Sequence, residues 1–333
     1  MASLPGLNDS FDEIMLSRKC VDRAGFKFTF FEDPKKYNYI VIRNPKASRS
    51  LYEKVNEYSE KTLEEHIEFI NYYKLEKAVI VAENIDFVSK CPTLKNIVVI
   101  PSLKATDKFD FSPLYSLPNI TQLVCITEYG DIQNSYSTTV DYSRIPGLKK
   151  IEVTGKGNLN YGEVSTLEEL VVREDKKIKD LNYLSCATNL KDMTFVHCAL
   201  KSLEGLENLK EVQSLCLEYL YSLSDVSAVA KISKSLRVLQ IESCPKITDF
   251  SCLFNLVNLE HLVLYGNNKL PTLSFLNNMK RLKTFCFSMI VEDCDITPCL
   301  QIPYAFLGKE KRAYNLKDKD LPKSLNTEPF QIV

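Results

Sequence analysis

The residues best suited to catalysis or metal binding are few and widely spaced. Any imidazole-based relay or zinc site must use His66, His197 or His261, the three histidines of the chain. His197 and His261 belong to copies of a repeated strand pattern, described below, that lie three copies apart. If neighbouring strands are about 5 Å apart, the two histidines are separated by roughly 14 Å. That distance is too long for a shared metal or a proton relay. Cys294 and Cys299 lie beside two aspartates without a second cysteine pair nearby, so packing in a C-terminal cap is the favoured interpretation.

Sequence motifs for phosphate, nucleotide or acyl chemistry are also missing. No Gly-x-x-x-x-Gly-Lys-Ser/Thr loop, Gly-x-Ser-x-Gly turn or dinucleotide fingerprint occurs. The Gly-Lys-Gly run at residues 155–157 lacks a following helix and is predicted to be a turn that leaves a strand. These observations favour a protein that is not an enzyme and that uses neither a metal nor a cofactor.

Charge and cysteine content narrow the expected partners and compartment. The 42 basic and 43 acidic residues give a net charge of −1, which offers no overall attraction to nucleic acid or to an anionic membrane. No apolar stretch approaches the length of a membrane span or a signal core. The eleven cysteines are irregularly spaced and odd in number, so we expect free thiols. The sequence therefore predicts a cytoplasmic protein that binds no nucleic acid and no membrane.

One short pattern recurs along most of the chain and must position any functional residue. It is Leu-x-x-φ-x-φ, where φ is apolar, as in Leu-Glu-His-Leu-Val-Leu at residues 259–264. Apolar residues at the fourth and sixth positions, alternating with other residues, are typical of a short β-strand with one buried face. Because such a strand cannot bury its face alone, the copies must stack. The ten copies begin at Leu75, Leu94, Ile120, Leu148, Leu167, Leu190, Val212, Leu236, Leu259 and Leu282.

These repeats resemble the internalin-like and phosphatase-regulatory class of leucine-rich repeats, with a period of about 22 residues. The resemblance covers residues 75–290 and is best over residues 236–282. It implies an α/β solenoid with a curved parallel sheet on the concave face, short 3₁₀ or helical turns on the convex face, and caps at both ends. In this class the ninth residue turns the chain off the strand and satisfies backbone groups there. Cys198, Cys244 and Asn267 occupy that position.

The repeat array divides the chain into three predicted domains. Residues 1–73 form an N-terminal hairpin-plus-helix cap, residues 74–292 form the repeats, and residues 293–333 form a C-terminal cap with a charged tail. Residues 302–307 are expected to close the core. Most of the tail from residue 308 onward is expected to be irregular and to lie along the last repeats.

The N-terminal cap is predicted from two local patterns. Phe26, Phe28 and Phe30 alternate with polar residues, and a Tyr-Asn-Tyr-Ile-Val-Ile run follows after a short polar turn, which predicts a β-hairpin. Thr62 and Glu65 form a capping box that predicts the start of a helix, with Leu63, Ile67 and Ile70 on one side and an end near Tyr73. Together the hairpin and helix would cover the open edge of the first repeat strand.

The outward strand positions of the first three copies are unusually apolar. The third, fifth and seventh residues of each copy point away from the core, and six of these nine are aliphatic. Either the hairpin or a loop covers them, which is the interpretation we favour, or they form a hydrophobic docking patch. The six residues are Val79, Val81, Val98, Ile100, Val124 and Ile126.

From the fourth copy onward the outward positions are polar. Acidic residues outnumber basic ones, and aromatic residues lie between them, a composition favoured at recognition surfaces. The eighth residue of each copy extends this face at its rim. The predicted partner-binding residues are Glu152, Arg173, His197, Glu218, Tyr219, Gln240, Glu242, His261 and Tyr265.

The sequence supports two functional hypotheses. The first is a non-catalytic module that binds a protein partner through its concave face. An inhibitor or immunity protein, whose acidic surface covers a basic site on an enzyme, is one concrete form of it. The alternative is an effector or enzyme-associated protein, in which residues 1–73 act on a substrate that the repeats select.

Overall fold

The computed structural model of the chain describes residues 28–29, 39–43, 63–82, 84–101, 109–126 and 139–324. It comprises two compact units, Met1–Val164 and Ser165–Val333. Each unit is built on a parallel β-sheet whose strands are joined by short 3₁₀ turns. The domain boundaries expected at residues 73 and 292 stay predictions.

Among the described residues, the first unit contains one α-helix and a row of parallel strands. The helix, α1, spans Leu63–Tyr73. The strands are β1 Phe28–Thr29, β2 Tyr39–Arg43, β3 Lys77–Ala82, β4 Asn96–Pro101, β5 Gln122–Ile126, β6 Val140–Asp141, β7 Lys150–Thr154 and β8 Asn158–Leu159. Strands β1 to β5 and β7 pair in chain order, all in parallel. Strands β6 and β8 pair separately, also in parallel.

The second unit repeats the same arrangement more regularly. Its strands are β9 Glu169–Arg173, β10 Asp192–Val196, β11 Ser214–Glu218, β12 Val238–Glu242, β13 His261–Tyr265, β14 Lys269–Leu270, β15 Thr284–Phe287, β16 Ile290–Val291 and β17 Tyr304–Leu307. Strands β9 to β13, β15 and β17 form one parallel sheet in chain order. Strands β14 and β16 form a small second pair.

The repeat frame determines where the strands begin. Each of the ten predicted copies forms a strand that starts two residues after the first residue of its frame. The register aligns like positions, since Leu239 on β12 lies opposite Leu215 on β11 and Leu262 on β13. All three leucines are fully buried. A slip by one residue would turn this apolar column outward, so burial selects the observed register.

Seven of the described 3₁₀ turns begin with a side-chain cap, which the repeat frame of the strands did not predict. In each case the side chain of one residue accepts a hydrogen bond from the backbone N–H two positions later, as Asp249 does from Ser251 at 2.8 Å. This satisfies a backbone donor that the short turn leaves unpaired. Six aspartates and one threonine act in this way: Asp110, Asp141, Asp180, Asp225, Asp249, Thr272 and Asp295.

The predicted N-terminal β-hairpin is wrong. Strand β1 pairs with β2 in parallel, and β2 pairs with β3 in parallel, whereas a hairpin requires antiparallel pairing. Ile40 and Ile42 lie opposite Ala78 and Ile80, the fourth and sixth positions of the first copy. Strand β2 therefore continues the repeat register. Phe26 and Phe30 lie outside the described residues.

The predicted helix is confirmed as α1, which ends at Tyr73 as expected. Ile67 and Ile70 are buried, whereas Leu63 is largely exposed at the first helical position. The proposed cap residue, Thr62, lies outside the described residues.

The C-terminal segment closes the sheet of the second unit. Ile302 and Leu307 are buried, as predicted, but residues 302–307 also fit the repeat frame and contain the extra strand β17. Beyond it, Tyr314 and Leu321 pack into the unit, and Lys323 pairs with Tyr304 in an antiparallel bridge. The described part of the tail thus lies against the last repeats, as predicted. Residues 325–333 lie outside the described residues.

The ninth-position prediction holds for two of its three residues. The thiols of Cys198 and Cys244 donate to backbone carbonyl oxygens at 3.4 to 3.6 Å. In the next copy, however, Asn268 donates to two carbonyl oxygens at 2.9 Å, and the predicted Asn267 is exposed. The prediction for Asn267 is wrong by one residue because Gly266 bends the chain with a φ of 144° before the turn.

Candidate partner-binding surface

The outward side of strands β9 to β13 carries an excess of acid. We call its third, fifth, seventh and eighth frame positions the acidic face. These positions hold five carboxylates and one guanidinium. The carboxylates are Glu169, Glu174, Asp192, Glu218 and Glu242, and the guanidinium is that of Arg173. Parallel pairing in register places equivalent positions on neighbouring strands about 4.8 Å apart.

The eighth positions form a regular rim because they share one backbone conformation. His197, Tyr219 and Ser243 have φ angles of 53°, 54° and 53°, in the left-handed region. Their N–H groups donate to carbonyl oxygens at the end of the next strand, at 3.0, 2.8 and 2.9 Å. Glu174 and Gly266 have positive φ angles as well. The rim therefore displays one fixed side-chain position per repeat.

Two rim residues stack on each other. The His197 and Tyr219 rings lie 4.8 Å apart between centroids and are inclined by 20°. The Tyr221 ring lies 6.0 Å from that of His197, and this tyrosine is 55% exposed. Offset stacking of this kind stabilises a pair of rings beyond the area they bury. The three rings form a fixed aromatic group at the edge of the acidic face.

Hydrogen bonds join this aromatic group to two carboxylates. The Tyr219 hydroxyl donates to Glu242 Oε1 at 2.9 Å. The Gln240 side-chain amide donates to Glu218 Oε1 at 3.2 Å and to Glu242 Oε2 at 3.3 Å. Glu218 and Glu242 are direct partners across β11 and β12. We call these six residues the aromatic–acidic cluster: His197, Glu218, Tyr219, Tyr221, Gln240 and Glu242.

The protonation states of the cluster follow from burial and charge. Burial, together with the hydrogen bond to Glu242, raises the pKa of Tyr219 to about 12, so its hydroxyl is a proton donor at neutral pH. Burial also lowers the pKa of His197. The nearby Lys176 and Arg173 lower it further, against the opposing charge of Glu174. The imidazole is therefore neutral at pH 7, which suits its stacking on Tyr219.

Strand β13 extends the face beyond the cluster. Burial and the charge of Lys283 lower the pKa of His261, against the opposing effect of Glu260. Burial raises the pKa of Tyr265, and so does a hydrogen bond with the Cys286 thiol on β15. Tyr265 lies opposite Glu242 in the register. Its ring thus continues the face on the side of the cluster away from His197.

Comparisons with known proteins identify the fold. No protein-family model and no curated protein matches the sequence. Among solved structures, the chain is similar to an internalin (InlF) from Listeria monocytogenes, with a TM-score of 0.51 and 19% identity over 76% of this chain and 79% of the other. The chain has a leucine-rich-repeat fold. The similarity to InlF and the parallel sheets with 3₁₀ turns together confirm the solenoid that the repeat pattern predicted.

Two further solved structures are similar at lower TM-scores. An internalin C2 from Listeria monocytogenes has a TM-score of 0.38 and 26% identity over 47% of this chain and 67% of the other. TLR13, solved as a complex with the single-stranded RNA ssRNA13, has a TM-score of 0.49 and 15% identity over 72% of this chain and 41% of the other.

The leucine-rich repeats bring most of the predicted site residues together. His197, Glu218, Tyr219, Gln240 and Glu242 lie in the cluster. Arg173 is close enough to affect the pKa of His197, and His261 and Tyr265 lie at the two ends of the neighbouring β13. The sequence prediction missed Tyr221, because it lies beyond the eighth position, where the frame assigns no direction.

Two of the predicted partner-binding residues are buried. Glu152 is buried on β7, in the first unit, and Gln240 is buried on β12. Both occupy the fifth position of their frames, in the middle of a strand. Gln240 instead holds Glu218 and Glu242 in place through its amide.

The fifth position is also buried at two of the apolar outward residues. Val98 is 1% and Val124 is 5% exposed, but the fifth-position residues Gln240 and Val263 are equally buried, so a cover over this part of the sheet stays a prediction. The side chains of Val79, Val81, Ile100 and Ile126 lie outside the described part of the structure.

Other expected features concern metals, thiols and membranes. Within the described ranges, no three His, Cys, Asp or Glu side chains cluster closely enough to hold a metal ion. The ten cysteines among the described residues are free thiols, and eight are buried. Cys20 lies outside these residues. None of the helices in the described part has both the length and the apolar content to cross a bilayer.

Proposed function

We propose that this leucine-rich-repeat chain is a non-catalytic protein-interaction module, and that its second unit binds a protein partner through the acidic face. The observation that supports this is the aromatic–acidic cluster. Tyrosine rings surrounded by polar groups are favoured as anchors at protein interfaces, because they bury a large area with few rotatable bonds.

The cluster is held in place before any partner binds. Tyr219 is fixed by its left-handed backbone, by the His197 ring and by its bond to Glu242. A side chain that is already ordered loses little conformational entropy on binding, so more of its contact energy contributes to affinity. This arrangement suits a recognition surface better than a flexible solvated strand.

The charge of the face indicates the surface that the partner presents. Five carboxylates against one guanidinium favour a basic partner. An inhibitor or immunity protein that covers a basic enzyme site is the narrower form of the proposal. In that form the chain would act in the cytoplasm by occluding its partner.

Affinity capture with the full chain tests the face. Tyr219→Asn with Tyr265→Ser should reduce the amount of partner captured, measured by quantitative mass spectrometry, at least about tenfold. Asparagine suits Tyr219 because it tolerates a positive φ. The matched control is Tyr183→Ser with Phe254→Ser, which removes two exposed aromatic rings from the 3₁₀ turns Asn182–Leu184 and Ser251–Asn255. Equal capture by both variants would refute the proposal.

A further inference from the structure

One lysine of the chain, Lys323, already lies against two aromatic side chains at outward positions of the sheet. The Lys323 ammonium lies 5.5 Å from the Tyr304 ring centroid and 5.4 Å from that of Phe306. Its Nζ also donates to the carbonyl oxygen of Ala305 and lies 2.7 Å from Asp318 Oδ1. Tyr304 and Phe306 are the third and fifth residues of the last frame, on β17. Two aromatic rings on β17, a backbone carbonyl of the same strand and a carboxylate on the following 3₁₀ turn therefore bind a cation.

The aromatic–acidic cluster also combines aromatic rings with carboxylates. No cation among the described residues pairs with its Glu242 carboxylate. Within the part of the chain that the structure describes, Glu242 forms no ion pair. Its carboxylate has about four acceptor sites. The described hydrogen bonds, from Tyr219 and Gln240, account for two. Glu242 can therefore accept further donors at the rim.

A second observation points to a missing donor. The side-chain oxygen of Gln240 is buried and has no hydrogen-bond partner among the described residues. Rotating the amide would not help, because its oxygen would then face the carboxylates of Glu218 and Glu242. The amide keeps its nitrogen toward them and leaves the carbonyl dipole uncompensated. The buried oxygen is thus an acceptor without a donor from the described residues, next to the two carboxylates that the amide nitrogen contacts.

The spacing of the carboxylates favours a planar cation. Glu218 and Glu242 are direct partners on adjacent strands, so their backbones are about 4.8 Å apart. A guanidinium has five N–H donors in one plane and can bond to two carboxylates while its face stacks on an aromatic ring. The partly exposed ring of Tyr221, near the stacked pair, provides such a surface.

We propose that the aromatic–acidic cluster is the docking site for an arginine side chain of the protein partner. In this arrangement Glu218 and Glu242 accept the guanidinium donors, and the Tyr219 and Tyr221 rings flank its plane. The inference rests on the proposed function and specifies the chemistry of the anchor on the partner.

Saturation-transfer NMR with the full chain and short peptides tests this directly. The probes are acetyl-Gly-Ser-Xaa-Gly-Ser-amide peptides in which Xaa is arginine, lysine or citrulline, the uncharged analogue of arginine. We expect saturable binding of the arginine peptide, weaker binding of the lysine peptide, and none of the citrulline peptide. Equal binding of the citrulline peptide would overturn the proposal, and equal binding of the lysine peptide would overturn the preference for a guanidinium.

Charge-matched variants locate the site. Glu218→Gln with Glu242→Gln should raise the Kd of the arginine peptide at least about tenfold. Glu169→Gln with Asp192→Asn removes two carboxylates from the same face outside the cluster and should change the Kd less than about twofold. Equal losses in the two variants would mean that the face attracts cations diffusely, and the proposal would be wrong.

A ring variant and the capture experiment separate the remaining cases. Tyr221→Leu changes an exposed side chain, so it should leave thermal unfolding unaltered while weakening the arginine peptide several-fold. Unaltered peptide affinity would contradict the role of this ring. If no arginine peptide binds, but Tyr219→Asn with Tyr265→Ser still abolishes partner capture, the arginine inference fails and the proposed function stands.

Discussion

At the scale of single residues, His197 couples the aromatic–acidic cluster to pH. Its ring stacks on Tyr219, and its pKa is lowered by burial and by Lys176 and Arg173, while Glu174 opposes the shift. Folding therefore favours the neutral imidazole. When the pKa of a histidine is lower in the folded chain than in the unfolded chain, the free energy of unfolding decreases as pH falls below the unfolded pKa of about 6.5.

Replacing His197 should reduce the loss of stability on mild acidification. Between pH 8 and pH 5.5, the urea midpoint of the wild-type chain should fall by more than that of His197→Asn. Asparagine is chosen because it accepts the positive φ at this position and does not titrate. His261 is retained in both proteins, so its own titration cancels. A larger pH dependence in the variant would contradict the assigned neutral state.

The residue identities in the cluster could be predicted from the sequence, but their roles could not. The frame assigned Glu218, Gln240 and Glu242 to the outward side, and the structure places them in one hydrogen-bonded group. Frame position does not give burial, because burial depends on the size of neighbours on adjacent strands. This is why Glu152 and Gln240 were predicted as contact residues although both are enclosed.

At the scale of elements, a capping aspartate opens six of the described 3₁₀ turns. Hydrogen bonds from the residue two positions later lower the pKa of Asp225, Asp249 and Asp295. Each carboxylate is thus more stable ionised in the folded chain. A lowered pKa contributes stability above the unfolded value of about 3.9, and this stability is lost as pH falls through the folded value.

Removing these caps should destabilise the chain in a pH-dependent way. The triple variant Asp225→Ala, Asp249→Ala and Asp295→Ala should unfold at lower urea than wild type at pH 7. The difference should shrink as pH falls below about 4, because the wild-type carboxylates are then protonated. Denaturation followed by circular dichroism at several pH values measures both effects.

The control for this prediction changes charge by the same amount. Glu163→Ala, Glu204→Ala and Glu211→Ala remove three exposed acids that form none of the described side-chain hydrogen bonds to turns. This variant should unfold close to wild type at pH 7. If it unfolds as early as the aspartate variant, net charge rather than capping accounts for the loss.

Strand position was predictable from sequence, whereas strand partnership was not. The spacing of apolar residues identified all ten frames, because alternation is a local property. A pair of short alternating runs is equally compatible with a hairpin and with two parallel strands. The local pattern around β1 and β2 therefore suggested the wrong pairing, and only the register with β3 shows that β2 continues the repeats.

At the scale of the whole chain, a net charge of −1 conceals a local excess of acid. The acidic face of the second unit could be found only by placing charges on the repeat frame.

The same unit also has a closed sheet edge. Ala305 N donates to the carbonyl oxygen of Pro322, and Ser324 N donates to that of Pro303, both at 3.0 Å. These bonds occupy backbone groups of β17 to which a strand of another chain could otherwise form hydrogen bonds.

Removing the C-terminal segment should make the protein self-associate. A chain ending at residue 316 lacks Asp318, Pro322 and Lys323, so the outer edge of β17 loses its described partners. We expect concentration-dependent oligomers in size-exclusion chromatography with light scattering, and a lower melting temperature. A chain ending at residue 325 keeps the edge bonds and should behave as the full chain does. Oligomers formed by the chain that ends at residue 325, or none formed by the chain that ends at residue 316, would contradict this role of the segment.

The left-handed rim also limits how the binding specificity of this protein can be changed. Valine, isoleucine and threonine are strongly disfavoured at a positive φ, whereas glycine, asparagine, aspartate and histidine tolerate it. A combinatorial library built at Glu174, His197, Tyr219 and Ser243 would therefore need a restricted alphabet without β-branched residues, and Gly266, with a φ of 144°, would stay glycine. Within that alphabet the rim side chains could be changed while the leucine core stays unchanged, with His197 and Tyr219 varied as a pair because their rings stack.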